Sequence, residues 1–132
     1  MLFRSPVYYV QYAHARICSI MRKGEGMKQT GEGGDVSLLT HPSEQKLIRR
    51  MLELSQVIEA CVNDLAPHPL TTYATDLAGL FHDFYRDCQV LPSETHPMDA
   101  KLSAARVRLV KAARIALATA LGLVGVSAPE KM

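Results

Sequence analysis

Apolar residues recur along the chain at spacings of three and four, the period of a helix with one buried face. Val7, Val10, His14, Ile17 and Met21 form the first such set, within a segment predicted to be helical over 6–23. Pro6 suits its first turn, Ser5 is a candidate N-cap, and Gly24 after Arg22-Lys23 reads as a stop. A second helix is expected from Pro42-Ser43, with Leu47, Ile48, Met51 and Leu52 inward; Ser43 with Lys46 makes no capping box. A third, capped by Ser55, would face inward through Val57, Ile58, Cys61, Val62 and Leu65. After the break Ala66-Pro67-His68-Pro69, a fourth over about 70–88 carries the stripe Leu70, Tyr73, Leu77, Phe81, Phe84 and Cys88. Pro92 and Pro97 mark a connector. The last and longest helix, about 99–121, has Leu102, Ala105, Leu109, Ala113, Ala116 and Ala120 on one face, small enough for close approach by a neighbour. Strand alternation is absent, so the fold class is all-α, a bundle of about five helices.

Between the first two helices, residues 24–36 hold five of the eight glycines and no periodicity, which predicts a flexible loop extending to about residue 42. The length, 132 residues, suits one domain, and 48% hydrophobic with 21% charged residues is a globular balance. Three widely spaced cysteines argue against a disulfide framework and for a reducing compartment. Arg4 precedes an apolar stretch, but Tyr8, Tyr9, Gln11, Tyr12 and His14 make a poor signal-peptide core. The most apolar run, 115–128, is broken by two glycines and is shorter than the ~20 residues needed to span a bilayer. A soluble, cytoplasmic protein is expected.

The net charge of +2 identifies no partner, but its distribution is uneven. Residues 1–23 hold Arg4, Arg16, Arg22 and Lys23 and no acid, whereas 99–122 hold Lys101, Arg106, Arg108, Lys111 and Arg114 against Asp99 alone. The stretch between them carries eleven acids and five bases. Two basic terminal helices packed side by side would present a polyanion-binding face, and two solvated helix faces would have the same composition. Tyr9, Tyr12 and Arg16 fall on one helix stripe extended by Ser19 and Lys23. Such a stripe either stacks unpaired bases or completes a core with hydroxyls at its rim.

Other chemistry is poorly supported. His14 and Cys18 are one turn apart without a second pair of comparable spacing. His82, Asp83, Asp87 and Cys88 divide over different helix faces, and His82 with Arg86 reads as structural hydrogen bonding. No metal site and no catalytic residue are expected. The glycine-rich loop lacks the P-loop pattern, and no nucleophile elbow is present.

The segment Tyr8-Tyr9-Val10-Gln11-Tyr12-Ala13-His14-Ala15-Arg16-Ile17-Cys18-Ser19-Ile20 closely resembles the opening helix of the C-terminal anticodon-binding domain of arginyl-tRNA synthetases. The resemblance continues through Leu65-Ala66-Pro67-His68 and Leu77-Ala78-Gly79 to Phe81-His82-Asp83-Phe84-Tyr85-Arg86-Asp87-Cys88. It closes on Leu121-Gly122-Leu123-Val124-Gly125-Val126-Ser127-Ala128-Pro129-Glu130-Lys131-Met132. It covers residues 6–132, with 1–5 an unmatched extension. The Asp-Ala-Leu-Arg signature of this domain class is only approximated by Asp99-Ala100-Lys101-Leu102, so contacts made by that motif do not transfer.

The resemblance implies a helical bundle that binds the anticodon arm of arginine tRNA. It places anticodon contacts at Tyr9, Tyr12, Arg16, Tyr85 and Met132, to which the basic helices add phosphate contacts from Arg22, Lys23 and Arg106. ATP and Mg2+ belong to the family's class I catalytic domain, whose His-Ile-Gly-His-type and Lys-Met-Ser-Lys-Ser-type motifs do not occur here. Arginine tRNA and that catalytic domain are the expected partners of a monomer with no membrane contact. A sequence-specific role requires the last residues to thread back to the first helix. A stand-alone RNA-binding module and a helical protein-docking domain remain the alternatives.

Overall fold

The computed structural model describes residues 6–132; the predicted Ser5 cap and the 1–5 extension lie outside them. Five α-helices make up the bundle: α1 Pro6–Gly26, α2 Pro42–Met51, α3 Leu54–Asp64, α4 His68–Asp87 and α5 Ala100–Leu123. Helix α4 is the hub, packing against all four others, while α1 also lies along α5. Every residue of its predicted stripe, Leu70, Tyr73, Leu77, Phe81, Phe84 and Cys88, is buried. Ala105, Ala113, Ala116 and Ala120 of α5 are buried too, and their small side chains let α1 and α4 come close.

The helix ends differ from the sequence reading in instructive ways. Gly24 does not stop α1, which continues to Gly26. Helix α2 is capped by His41, two residues before Ser43: the His41 Nδ1 accepts from the Ser43 amide at 3.1 Å, and Glu44 Oε1 accepts from the His41 amide at 2.9 Å. Ser55 does not cap α3, which starts at Leu54 after Glu53 without a side-chain cap. Helix α4 begins two residues before the prediction because Pro69 fits in a first turn. The Asp99 carboxylate caps α5, accepting from the Lys101 amide at 3.1 Å. The first residue of the approximated signature is thus a helix cap here.

Helix α3 corrects a larger expectation. It packs principally on α4, so only part of its apolar stripe is covered. Val57, Ile58 and Cys61 are half-buried, whereas Val62 and Leu65 are exposed, Leu65 by 92%. Leu52, expected inward, is exposed at the turn between α2 and α3.

The glycine-rich stretch is a strap rather than a free loop. After α1 it lies along the first half of α5, passes through a 3₁₀ turn, Val36–Leu38, and buries Leu39 before α2. A Cβ on Gly34 would stand 2.6 Å from the Ala104 carbonyl oxygen, and one on Gly31 would stand 2.9 Å from the Arg108 amide nitrogen. Gly31 also has a φ of +78°, a region that disfavours side chains. Arg108 donates to the Gly34 carbonyl at 2.8 Å, and Gln29 donates to the Ala100 carbonyl at 3.3 Å. At Gly31 and Gly34 only a glycine fits, because there two backbones touch.

Candidate nucleic-acid interface

The site is built where α1 crosses the second half of α4. Burial of Val10, Ala13 and Ile17 against the core fixes the rotation of α1 and leaves Tyr9, Tyr12 and Arg16 facing out. Tyr12 is 43% exposed, so these tyrosines do not complete the core. From α4, His82 and Tyr85 project toward them. The His82 ring centroid lies 5.2 Å from that of Tyr9 and 6.0 Å from that of Tyr12. The Arg16 guanidinium sits over the Tyr85 ring at 4.5 Å and 6.0 Å from the Tyr12 ring, and Tyr85 in turn stacks on buried Phe81. A planar cation held between two rings is pre-organised, and its edge donors remain available for an incoming group.

Two concavities meet at Tyr12 and Arg16. One is a cleft of ≈ 490 Å³ walled by Tyr8, Tyr9, Tyr12, Arg16 and His82. The other is an open groove of ≈ 1170 Å³ that runs past Ser19, Arg22, Lys23, Tyr85 and Gln89 to Met132. The first is mainly aromatic, the second mixed and basic along its α1 side.

The chain's last residues complete the groove. After α5, residues 127–130 run along α1 and are held by three side chains of that helix. Gln11 donates to the Ser127 carbonyl at 3.0 Å, and Arg22 donates to the Glu130 carbonyl at 3.3 Å. Between them the His14 Nδ1 lies 2.8 Å from the Pro129 carbonyl, which only accepts, so that nitrogen carries the proton. The predicted return of the tail to α1 is therefore present, and Met132 and Tyr12 line the same groove. His14 acts as a structural clamp, with Cys18 Sγ at 3.8 Å from the same nitrogen. Burial raises the Cys18 and Cys88 thiols, which keeps both protonated and poor as ligands or nucleophiles.

Of the predicted site residues, Tyr9, Tyr12, Arg16, Tyr85 and Met132 converge on these two concavities, and Arg22 and Lys23 flank the groove. Arg106 does not. Its Nε donates to Glu44 at 2.7 Å and another of its N–H groups to the Gln89 carbonyl at 2.8 Å. Glu44 is only 1% exposed, and a buried carboxylate requires this partner, so Arg106 is withdrawn from the phosphate contacts. Arg108 is likewise turned onto the strap, donating to the Gly34 carbonyl.

His82 is the site residue that the sequence reading placed elsewhere. With Arg86 it reads as a structural hydrogen-bonding residue; Arg86 is indeed bound by Asp83 at 3.4 Å and Asp87 at 3.1 Å, whereas His82 is set against the α1 tyrosines. Its position against two α1 tyrosines depends on how the helices cross, and no local spacing encodes that. Among the described residues no group of three His, Cys, Asp or Glu could hold a metal ion, and no helix is long and apolar enough to cross a membrane.

Comparison with known proteins is consistent with this geometry. The chain is 48% identical over 128 residues to an arginine–tRNA ligase of Dehalococcoides mccartyi strain BAV1, covering 97% of this chain and 22% of the relative. It is 48% identical over 130 residues to an arginine–tRNA ligase of Frankia alni, covering 97% of this chain and 23% of the relative. The chain thus spans less than a quarter of the length of these relatives. Among solved structures, a Campylobacter jejuni chain assigned as an arginyl-tRNA synthetase superposes with a TM-score of 0.81 at 27% identity, over 96% of this chain and 26% of that one. The Thermus thermophilus arginyl-tRNA synthetase gives a TM-score of 0.73 at 31% identity, over 94% of this chain and 21% of that one. The profile of the DALR anticodon binding domain matches residues 10–132, and the chain belongs to that family.

Proposed function

We propose that this chain binds the anticodon arm of arginine tRNA as the anticodon-binding domain of a class I arginine–tRNA ligase. The observation that carries this reading is the meeting of Tyr9, Tyr12, Arg16, Tyr85 and Met132, drawn from α1, α4 and the tail, around one pair of adjoining concavities. The chemistry suits single-stranded RNA. Exposed rings offer platforms for splayed bases, and Arg16 stacks and donates at once. Arg22 and Lys23 stand where a backbone crossing the groove would bring phosphates.

Arginylation itself is assigned to a separate catalytic domain, where ATP and Mg2+ would act; this domain supplies recognition and no reacting group. Its partners on this reading are arginine tRNA and that catalytic domain, and it works in the cytoplasm as a monomer. Every arginine codon has G in its middle position, so every arginine anticodon has a central C for such a site to read.

The test is binding of the chain to an arginine anticodon stem-loop and to the same hairpin with its central C changed to U, at two salt concentrations. Tighter binding of the C hairpin is expected, with Tyr12→Ala weakening it by about 1–3 kcal/mol. Equal, salt-sensitive binding of both hairpins would reduce the site to a non-specific basic surface. No binding by a folded chain would favour protein docking.

A further inference from the structure

His82 stands in the wall of the aromatic cleft, half-buried, its ring set against those of Tyr9, Tyr12 and, at 5.5 Å, Phe81. Neither of its ring nitrogens has a hydrogen-bond partner among the described residues, and neither is sealed from solvent. A histidine serving only as packing normally finds a partner for its N–H, as His14 does with the Pro129 carbonyl. Arg16, in the same wall, only donates.

Building on the function proposed above, we infer that His82 is a specificity-determining residue. Its unprotonated imidazole nitrogen accepts a hydrogen bond from the exocyclic amino group of a base lodged in this cleft, the central cytosine of the anticodon. Uracil carries a carbonyl oxygen where cytosine carries the amino group. A neutral imidazole that aims its lone pair at that place favours cytosine, and an imidazolium, a donor at both nitrogens, favours uracil.

The surroundings hold His82 in the accepting form. Burial lowers its pKa first, and the nearby Arg16 cation lowers it further, against a smaller opposing effect of Asp83 on its own helix. From α1 the facing groups are Arg16 and the phenols of Tyr8, Tyr9 and Tyr12; on α4, Asp83 is itself paired with Arg86. The preference for C over U is therefore largest above the ordinary histidine range. It declines as the pH falls below it, while binding of both hairpins strengthens through the added positive charge.

The experiment measures the ratio of the C and U hairpin affinities from about pH 8 to about pH 5, a range that brackets the imidazole. It compares the unmodified chain with His82→Phe and His82→Gln. His82→Phe keeps a flat ring against the tyrosines and is expected to lower the ratio by about threefold to tenfold, the worth of one hydrogen bond, and to abolish its pH dependence. His82→Gln retains an acceptor and is expected to preserve most of the ratio without the pH dependence. A C preference that persists in His82→Phe would overturn this inference and leave the anticodon reading standing. A ratio in the unmodified chain that does not change with pH overturns it as well, even if His82→Phe fails to fold. No preference in the unmodified chain would overturn both.

Discussion

Segments 1–23 and 99–122 each carry a net charge of +4, yet arginines of α1 and α5 are put to opposite uses. Arg16 on α1 lies between tyrosine rings with its N–H groups toward a groove. Arg106 and Arg108 on α5 are turned onto Glu44, the Gln89 carbonyl and the Gly34 carbonyl. The difference lies in what each helix packs beside. Helix α5 is flanked by α2 and the strap, which bring oxygen acceptors to it, while the exposed stripe of α1 faces the rings of His82 and Tyr85 and the tail. A guanidinium near buried acceptors becomes part of the scaffold, and one over an aromatic face remains free for a ligand. Charge counted along a sequence cannot distinguish these.

Replacing the two arginines in parallel would break the comparison most directly. Arg106→Leu strands the buried Glu44 carboxylate and is expected to destabilise the fold by about 3–5 kcal/mol in urea melts. Arg16→Leu should change stability little and weaken hairpin binding instead. Comparable stability losses in both would mean that Arg16 is structural as well. Gly34→Ala sharpens the picture of the strap. The new Cβ meets the Ala104 carbonyl, and overpacking of this kind should cost about 1–3 kcal/mol with the hairpin affinity of the folded fraction unchanged. The smallest effect is expected from Lys23→Ala, which lowers the magnitude of the salt slope of binding by about 0.7 if the side chain neutralises one phosphate. An unchanged slope would place the RNA backbone elsewhere.

The parts of the fold legible in the sequence are those encoded by short-range period. The α4 stripe is buried at every predicted position because that helix is surrounded, so each residue on the stripe finds a neighbour. The same reasoning over-reached at Val62 and Leu65, where α3 has principally one neighbour and a period in sequence does not guarantee a covering surface. The cap of α2 was missed because His41, which is not among the usual capping residues, serves through its ring nitrogen. The glycine-rich stretch has the composition of a flexible linker, yet Gly31 and Gly34 answer to contact with α5, some seventy residues away along the chain.

At the candidate site, Tyr9, Tyr12 and Arg16 were identifiable because one helix places them on one stripe, and the family resemblance extended the set to Tyr85 and Met132. Bringing those five together took the tail's three carbonyl acceptors on α1 and the crossing of α1 over α4. The sequence by itself determined which faces are apolar, where the main helices run and which side chains could stack or carry charge, since these follow from identity and spacing. Only the tertiary structure decided that Arg106 is scaffold, that Gly31 and Gly34 mark a docked strap and that His82 faces a cleft. Partners distant along the chain settle each of these, and whether a polar side chain is spent or free depends on what the fold places within hydrogen-bond reach of it.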